Sequence, residues 1–101
     1  MKRSVLFFAF LFSLTVLGAQ TVGSGYLAFD EDSIFYEWAG SGQSLVLIHD
    51  GLLHSEVWND QFSSFSKDYR VIRYDRRGYG ASSAATASYT HLDDLKALFK
   101  Q

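Results

Sequence analysis

Short apolar runs separated by polar segments predict the strands of this chain. Residues 26–29 and 33–38 are rich in aromatic and aliphatic side chains, and the acidic segment 30–32 between them suits the tip of a hairpin. Residues 45–48 include no polar side chain, as expected of a strand that helices cover on both faces. Residues 69–74 return to strand character. The pattern therefore predicts an antiparallel hairpin followed by two further strands.

Two segments have the period of a helix instead. Residues 55–66 predict an amphipathic helix whose apolar positions recur at i, i+4 and i+7: Trp58, Phe62 and Phe65. Near the C-terminus, Thr90 and Asp93 have the spacing of a capping box. An apolar helical face follows, made of Leu92, Leu95, Leu98 and Phe99. Because strands separated by a helix require a parallel, right-handed crossover, the order hairpin, β, α, β, α predicts an open α/β sheet with an antiparallel start.

The N-terminal segment differs from the rest of the chain. Two basic residues precede an apolar segment, residues 5–17, and the small residues Gly18 and Ala19 follow. This order is typical of a secretory signal peptide. The apolar segment is shorter than the roughly 20 residues that a membrane-spanning helix needs, so no stable membrane anchor is expected. We expect residues 1–19 to be a signal peptide, residues 20–101 to form the folded part, and the protein to be secreted or periplasmic.

Composition limits the kinds of fold and of binding partner that are expected for this chain. The chain has a formal net charge of −2 and no cysteine, so it has no disulfides despite the oxidising compartment that export implies. Its aromatic content of 17% argues against disorder. No basic patch interleaves with aromatic residues, which argues against a nucleic-acid partner. A cluster of arginines is interpreted as the solvated end of a strand: Arg70, Arg73, Arg76 and Arg77.

Chemically unusual turns follow the third and the fourth predicted strand. The first is His49-Asp50-Gly51, directly after a fully apolar run. The second is the segment 75–82, Asp-Arg-Arg-Gly-Tyr-Gly-Ala-Ser, which fits the pattern Asp-x-Arg-Gly-x-Gly-x-Ser at every fixed position. In open α/β sheets ligands bind at the carboxyl ends of the strands. Both turns therefore lie where a site is expected.

Together with the segment 58–62, Trp-Asn-Asp-Gln-Phe, these turns resemble the N-terminal part of an α/β-hydrolase domain. The resemblance covers about residues 25–101 and implies that the strands lie in the order first, second, fourth, third. The strand that carries the nucleophile in the family is expected to be missing, because no serine here lies in a Gly-x-Ser-x-Gly elbow. The predicted fold is thus an N-terminal β-hairpin followed by the β-α-β-α of an incomplete α/β-hydrolase sheet.

The resemblance also implies a role for the turn at His49. In the family a His-Gly-x turn at this place points a backbone N–H at the oxyanion of the reaction. Here Asp50 stands where the commonest family version has glycine. The register favours Gly51 as the backbone oxyanion donor, with Leu52 as the alternative. The competing interpretation is an ordinary β-to-α loop in which His49 packs and hydrogen-bonds locally.

Two other arrangements of reactive residues are set aside. His49, Asp75 and Ser82 supply the residue types of a hydrolytic triad, but Ser82 is not in an elbow, and segment 75–82 is mainly structural in the family. His49 and His54, with Asp50 beside them, are metal-ligand types without a third close ligand. No catalytic role is assigned to Asp75 or Ser82, and neither a metal nor a cofactor is expected.

The expected function is hydrolysis of an ester-like or related small-molecule bond, with a small molecule as the substrate. The chain carries the oxyanion turn but no nucleophile, so we expect it to be inactive alone and prone to self-association. The alternative function is a secreted, non-catalytic binding or interaction module. An in-frame nucleophile elbow beyond codon 101 would favour the hydrolase, whereas a stop codon there would favour the module.

Overall fold

A computed structural model describes residues 21–86 and 88–101, so the predicted signal peptide lies outside the described residues. Four strands are present in this part of the chain: β1 (Val22–Phe29), β2 (Asp32–Ala39), β3 (Ser44–Leu47) and β4 (Arg70–Tyr74). A 3-10 turn (Ser55–Trp58) leads into helix α1 (Asn59–Phe65), and helix α2 (His91–Phe99) is the last element.

The four strands form one mixed sheet in the order β1-β2-β4-β3, which is the predicted order. β1 and β2 form the hairpin, and Asp30 takes the left-handed φ of 51° at its tip. β2 is antiparallel to β4, whereas β3 is parallel to β4, with Ser44 opposite Arg70 and Leu47 opposite Arg73. The carboxyl ends of β3 and β4 therefore lie side by side. The α/β fold with an antiparallel start is confirmed.

Strand β1 begins four residues earlier than the apolar pattern predicted. Its first half contains Gly23 and Gly25, which weaken a strand signal in the sequence. The paired strand explains Gly23, because a Cβ there would overlap the indole ring of Trp38. Gly23 thus makes room for a large side chain on β2.

The core is divided between the two faces of the sheet. On one face, α1 covers a cluster of buried residues: Ala39, Leu47, Phe62 and Val71. On the other face, α2 covers a second cluster: Ile34, Tyr74 and Leu98. Val71 and Tyr74 of β4 lie three positions apart and contribute to opposite clusters, as the alternation of side chains along a strand requires.

The helices bury less of their apolar surface than the sequence predicted. The segment 55–66 is divided into a 3-10 turn and a short α-helix, so that Phe62 is buried but Phe65 is 38% exposed. In α2 only Leu98 of the predicted face is fully buried, whereas Leu92 and Phe99 are more than half exposed. The sheet in the described part of the chain is narrow, and it covers only one stripe of each helix.

The interpretation of the clustered arginines as solvated is wrong for two of them. Arg73 is 9% exposed, and it donates from Nε to Glu37 at 3.0 Å and from Nη1 to Asn59 at 2.6 Å. Arg77 is 6% exposed, and it donates from Nη1 to Asp32 at 2.8 Å. Each guanidinium is buried because a carboxylate compensates its charge. Side-chain alternation explains the position of Arg73, which lies on the same face of β4 as the buried Val71.

Candidate functional site

The turn after β3 is held by the ring of His49, which is only 2% exposed. Its Nδ1 lies 2.7 Å from the carbonyl oxygen of Asp50, and its Nε2 accepts the backbone N–H of Arg76 at 2.8 Å. A carbonyl oxygen can only accept and an amide N–H can only donate, so the ring is neutral with its proton on Nδ1. Both ring nitrogens are used, and His49 is therefore a structural tie between the ends of β3 and β4.

The two candidate donors, Gly51 and Leu52, lie at the exposed tip of the same turn. Leu52 is 96% exposed and has a φ of 69°, a left-handed conformation that costs a leucine about 1–2 kcal/mol. Backbone strain of this kind is concentrated at functional sites. Within the described residues, the amides of Gly51 and Leu52 donate no hydrogen bond. Both N–H groups are therefore without an acceptor in this part of the chain.

A groove of about 510 Å³ opens beside this turn. Its lining comes from the residues after β3 and from the segment that leads into α1: Ile48, His49, Asp50, Leu53, Val57, Trp58 and Gln61. The side chains of Ile48, Leu53 and Val57 are between 43% and 51% exposed. The groove therefore offers an apolar wall next to the turn that carries the two free amides.

The carboxylate of Asp75 holds the second turn, residues 75–82, by accepting two backbone hydrogen bonds. Its Oδ1 accepts the N–H of Ser55 at 2.7 Å, and its Oδ2 accepts the N–H of Ala81 at 2.8 Å. Burial opposes ionisation, but the amides of Ala81 and Ser55 outweigh it, so the pKa of the Asp75 carboxyl lies below its ordinary value of 3.8. Asp75 is thus an ionised brace between this turn and the 3-10 turn before α1.

The hydroxyl group of Ser82 is hydrogen-bonded to two backbone groups of the fold. It donates to the carbonyl oxygen of Asp75 and accepts the N–H of Phe35 at 2.9 Å. These contacts join the end of the motif to β2. The arrangement gives Asp75 and Ser82 structural partners, which agrees with assigning neither a catalytic role.

Two residues at variable positions of the motif were given no role in the site from the sequence, where Arg76 was interpreted only as part of a solvated cluster. Arg76 donates from Nη1 to the carbonyl oxygen of His49 at 3.1 Å, and the ring of Tyr79 lies 5.3 Å from the ring of His49. The predicted sheet order could have indicated both contacts, because residues that follow two neighbouring parallel strands meet at one edge of the sheet.

Other kinds of site find no support in residues 21–86 and 88–101. There, no group of three or more His, Cys, Asp or Glu residues could hold a metal ion. His54 instead accepts the N–H of Glu56 through Nδ1 at 3.4 Å, at the start of the 3-10 turn. No helix in the same part of the chain is long and apolar enough to cross a membrane.

Comparison with known proteins identifies the family of this chain. The family model of the Alpha/beta hydrolase family matches residues 45–101, a segment that includes both turns and the groove. The chain belongs to the α/β-hydrolase family. The resemblance carried by the two motifs is therefore confirmed, and the four-stranded sheet is part of an α/β-hydrolase fold.

The chain is similar to family members of several activities. It is 46% identical over 59 residues to a putative non-heme chloroperoxidase from Synechocystis sp., which covers 57% of this chain and 21% of that protein. It is 40% identical over 50 residues to a pimeloyl-[acyl-carrier protein] methyl ester esterase from Nitrosomonas europaea, over 50% of this chain and 20% of that protein. The crystal structure of bromoperoxidase from Bacillus anthracis matches with a TM-score of 0.69 and 34% identity, over 78% of this chain and 31% of that one. The matches thus span about a fifth of the two curated relatives.

Proposed function

We propose that this chain supplies the oxyanion turn of a hydrolase that acts on an ester-like or related small-molecule bond. The observation that carries the proposal is a pair of exposed residues after β3, Gly51 and Leu52, whose amides have no partner among the residues that the structure describes. An oxyanion is stabilised by donors that are already in place, at about 2.7–3.1 Å from the developing charge. Gly51 is the preferred donor and Leu52 the alternative.

In this proposal His49 holds the turn and transfers no proton. Its two ring nitrogens are occupied by Asp50 and Arg76, so neither is available to a substrate. The nucleophile, the acid and the base are proposed to come from residues outside this sequence, because no serine in it lies in a Gly-x-Ser-x-Gly elbow. The chain alone is accordingly proposed to be inactive.

The proposed substrate is a small molecule with a carbonyl group next to an apolar group. The apolar wall of Ile48, Leu53 and Val57 beside the turn supports this choice, since a carbonyl oxygen at the amides would place its neighbouring group against the groove. The similarity to an esterase supports ester-like bonds as the first substrates to test. The chemistry proposed needs no cofactor, metal or nucleic acid.

The proposed location is outside the cytoplasm. The support is the order of a basic start, an apolar segment and small residues in the first 19 positions. Mass spectrometry of the protein from its native host should find an N-terminus between Ala19 and Ser24. Recovery of the chain from the cytoplasm with Met1 intact would contradict the proposal.

Activity is tested first on the chain itself. We expect no turnover of p-nitrophenyl acetate or butyrate above buffer or above the His49→Ala variant. Loss of a nucleophile that acts within a catalytic unit lowers the rate by several orders of magnitude. Clear turnover by the chain, lost in His49→Ala, would show that it contains a complete active site and that the proposal is wrong.

The role of the turn is tested on the longest product of the same reading frame. Sequencing beyond codon 101 should find a Gly-x-Ser-x-Gly elbow, and the product that contains it should hydrolyse the two esters. Replacing the amide of Gly51 by an ester bond removes its N–H and should lower kcat by about 10²–10³-fold. The same replacement at Leu52 is the matched control and distinguishes the two candidate donors.

The alternative function makes the opposite prediction for the reading frame. A secreted binding module that ends at Gln101 requires a stop codon there and an expressed, inactive protein of this length. That combination would replace the hydrolase proposal by the module.

A further inference from the structure

One side chain of the second turn reaches across to the first. Arg76 donates its backbone N–H to Nε2 of His49 at 2.8 Å and its Nη1 to the carbonyl oxygen of His49 at 3.1 Å. Its Nη2 lies 3.1 Å from Nε2 of His91, the first residue of α2. A single arginine thus holds His49 at two points and joins it to a third element of the fold.

We propose that Arg76 is a positioning residue for the turn at residues 49–52, and that His91 anchors it to α2. The carbonyl held by Arg76 belongs to the planar peptide unit that enters the turn, so its orientation limits the path of the two peptide units that follow. A donor at Gly51 or Leu52 stabilises an oxyanion only if its direction is fixed before the charge develops. The inference rests on the proposed function, because it concerns the same turn.

The ring of Tyr79 packs against His49 and Arg76. Its centroid lies 5.3 Å from that of His49, edge to face, and 5.4 Å from Cζ of Arg76. Its hydroxyl lies 3.5 Å from the place that a Cβ on Gly51 would occupy. The guanidinium of Arg76 therefore lies over the ring of Tyr79. Its Nη1 and Nη2 point at different acceptors, the carbonyl oxygen of His49 and Nε2 of His91. A lysine has the charge but not the planar fork that this arrangement needs.

The link to α2 depends on His91 as a hydrogen-bond acceptor. A guanidinium only donates hydrogen bonds, so Nε2 of His91 accepts from Arg76. Tyr89 contacts the ring of His91, and Tyr74 lines the same recess and stays neutral because burial raises its pKa. Removal of the acceptor at His91 therefore releases the anchor.

The test follows the amide signals of Gly51 and Leu52 by NMR in the full, 15N-labelled chain. In His91→Gln, whose amide oxygen can accept from Arg76, both signals should stay near their wild-type positions. In His91→Leu, which offers no acceptor, and in Arg76→Lys, which lacks the planar fork, both signals should shift.

Hydrogen exchange measured by mass spectrometry is the second readout, and it does not require resolved resonances. Over residues 48–57, exchange should be faster in Arg76→Leu than in the wild type, whereas the control variant Arg70→Leu should not change it. If Arg76→Lys and His91→Leu leave the signals of the turn unchanged, or if exchange is equal in Arg76→Leu and the wild type, the proposal is wrong. Neither readout uses activity, so this result and that of the amide-to-ester test are independent.

Discussion

Arg77 and Asp94 form a two-point ion pair in which Nη2 lies 2.7 Å from Oδ1 and Nε lies 3.2 Å from Oδ2. The two side chains are 5% and 3% exposed. The remaining Nη1 of Arg77 donates to Asp32 at 2.8 Å, and the rings of Phe29 and Tyr89 each lie 4.6 Å from its Cζ. One guanidinium therefore joins the hairpin, the turn after β4 and helix α2.

The first prediction concerns the free energy of unfolding. Arg77→Met leaves the buried carboxylates of Asp32 and Asp94 without their cation, so we expect a loss of about 3–5 kcal/mol at pH 7. The control is Arg70→Met, because Arg70 is less buried and has no ion pair within the described residues. Urea denaturation followed by circular dichroism measures both. Equal losses in the two variants would show that the ion pairs of Arg77 contribute nothing specific.

A second prediction compares two glycines of the turn at 75–82. Gly78 and Gly80 have φ values of 90° and 52°, so alanine is strained at either position, at a cost of about 1–2 kcal/mol. A Cβ on Gly78 meets nothing within 4 Å, whereas a Cβ on Gly80 overlaps the carboxyl group of Asp75. We expect Gly80→Ala to lower the free energy of unfolding clearly more than Gly78→Ala. Similar losses in chemical denaturation would mean that the contact with Asp75 is unimportant.

The third prediction is a loss of stability in acid. Hydrogen bonds from the side chain and the amide of Thr86 lower the pKa of Asp32, and Arg77 adds to this effect. The pKa of Asp75 is also below its ordinary value of 3.8. A carboxyl group whose pKa is lower in the folded state stabilises the fold above its unfolded pKa, and this stability is lost as the pH falls through the folded pKa.

Thermal melts between pH 7 and pH 2 should therefore show a melting temperature that is steady at first and falls below about pH 4. Asp75→Asn should be less stable at pH 7, because its amide group can accept from only one of the two N–H groups of Ser55 and Ala81 through its single oxygen. Its melting temperature should also fall less in acid than that of the wild type. An identical acid profile for Asp75→Asn would exclude Asp75 as a source of the effect.

The sequence predicted the elements that depend on local patterns. The alternation and the length of the apolar runs indicated all four strands, and the Thr90 cap of α2 is present, with its hydroxyl accepting the N–H of Asp93 at 3.1 Å. The order of the strands followed from the resemblance to the family, and it placed the turns at His49 and Asp75 side by side.

The polar interior could not be predicted in the same way. Arg77 contacts Asp32, 45 positions away, and Asp94, 17 positions away, so no short window of sequence contains the partners that allow its burial. The strain at Leu52 was also unexpected, because the neighbouring Gly51 is the residue that tolerates a left-handed backbone most easily. Both features depend on where other elements hold the chain, which composition and periodicity do not specify.

The last prediction concerns association through strand β3. In the described part of the chain β3 is an edge strand, and neither Ser44–Leu47 nor Ile48 carries a charge or is a proline. An uncharged edge strand with unpaired backbone groups pairs readily with another chain. Apolar side chains near the carboxyl end of β3 are exposed as well, among them Ile48, Leu53 and Leu92. We propose that residues 20–101, produced alone, self-associate through β3.

The test compares charged variants at the two edge strands of the sheet, β3 and β1. Ser44→Glu places a charge on β3 opposite Arg70, and Ser24→Lys places one on β1 opposite Glu37, so each new charge has a favourable neighbour within its own chain. In size-exclusion chromatography with light scattering, the wild type and Ser24→Lys should form larger species as concentration rises, whereas Ser44→Glu should stay smaller. A wild type that remains monomeric with one sharp thermal transition would contradict the proposal. Equal association of all three would locate the contact elsewhere, because the carboxylates that Ser44→Glu introduces would repel each other across two paired β3 strands.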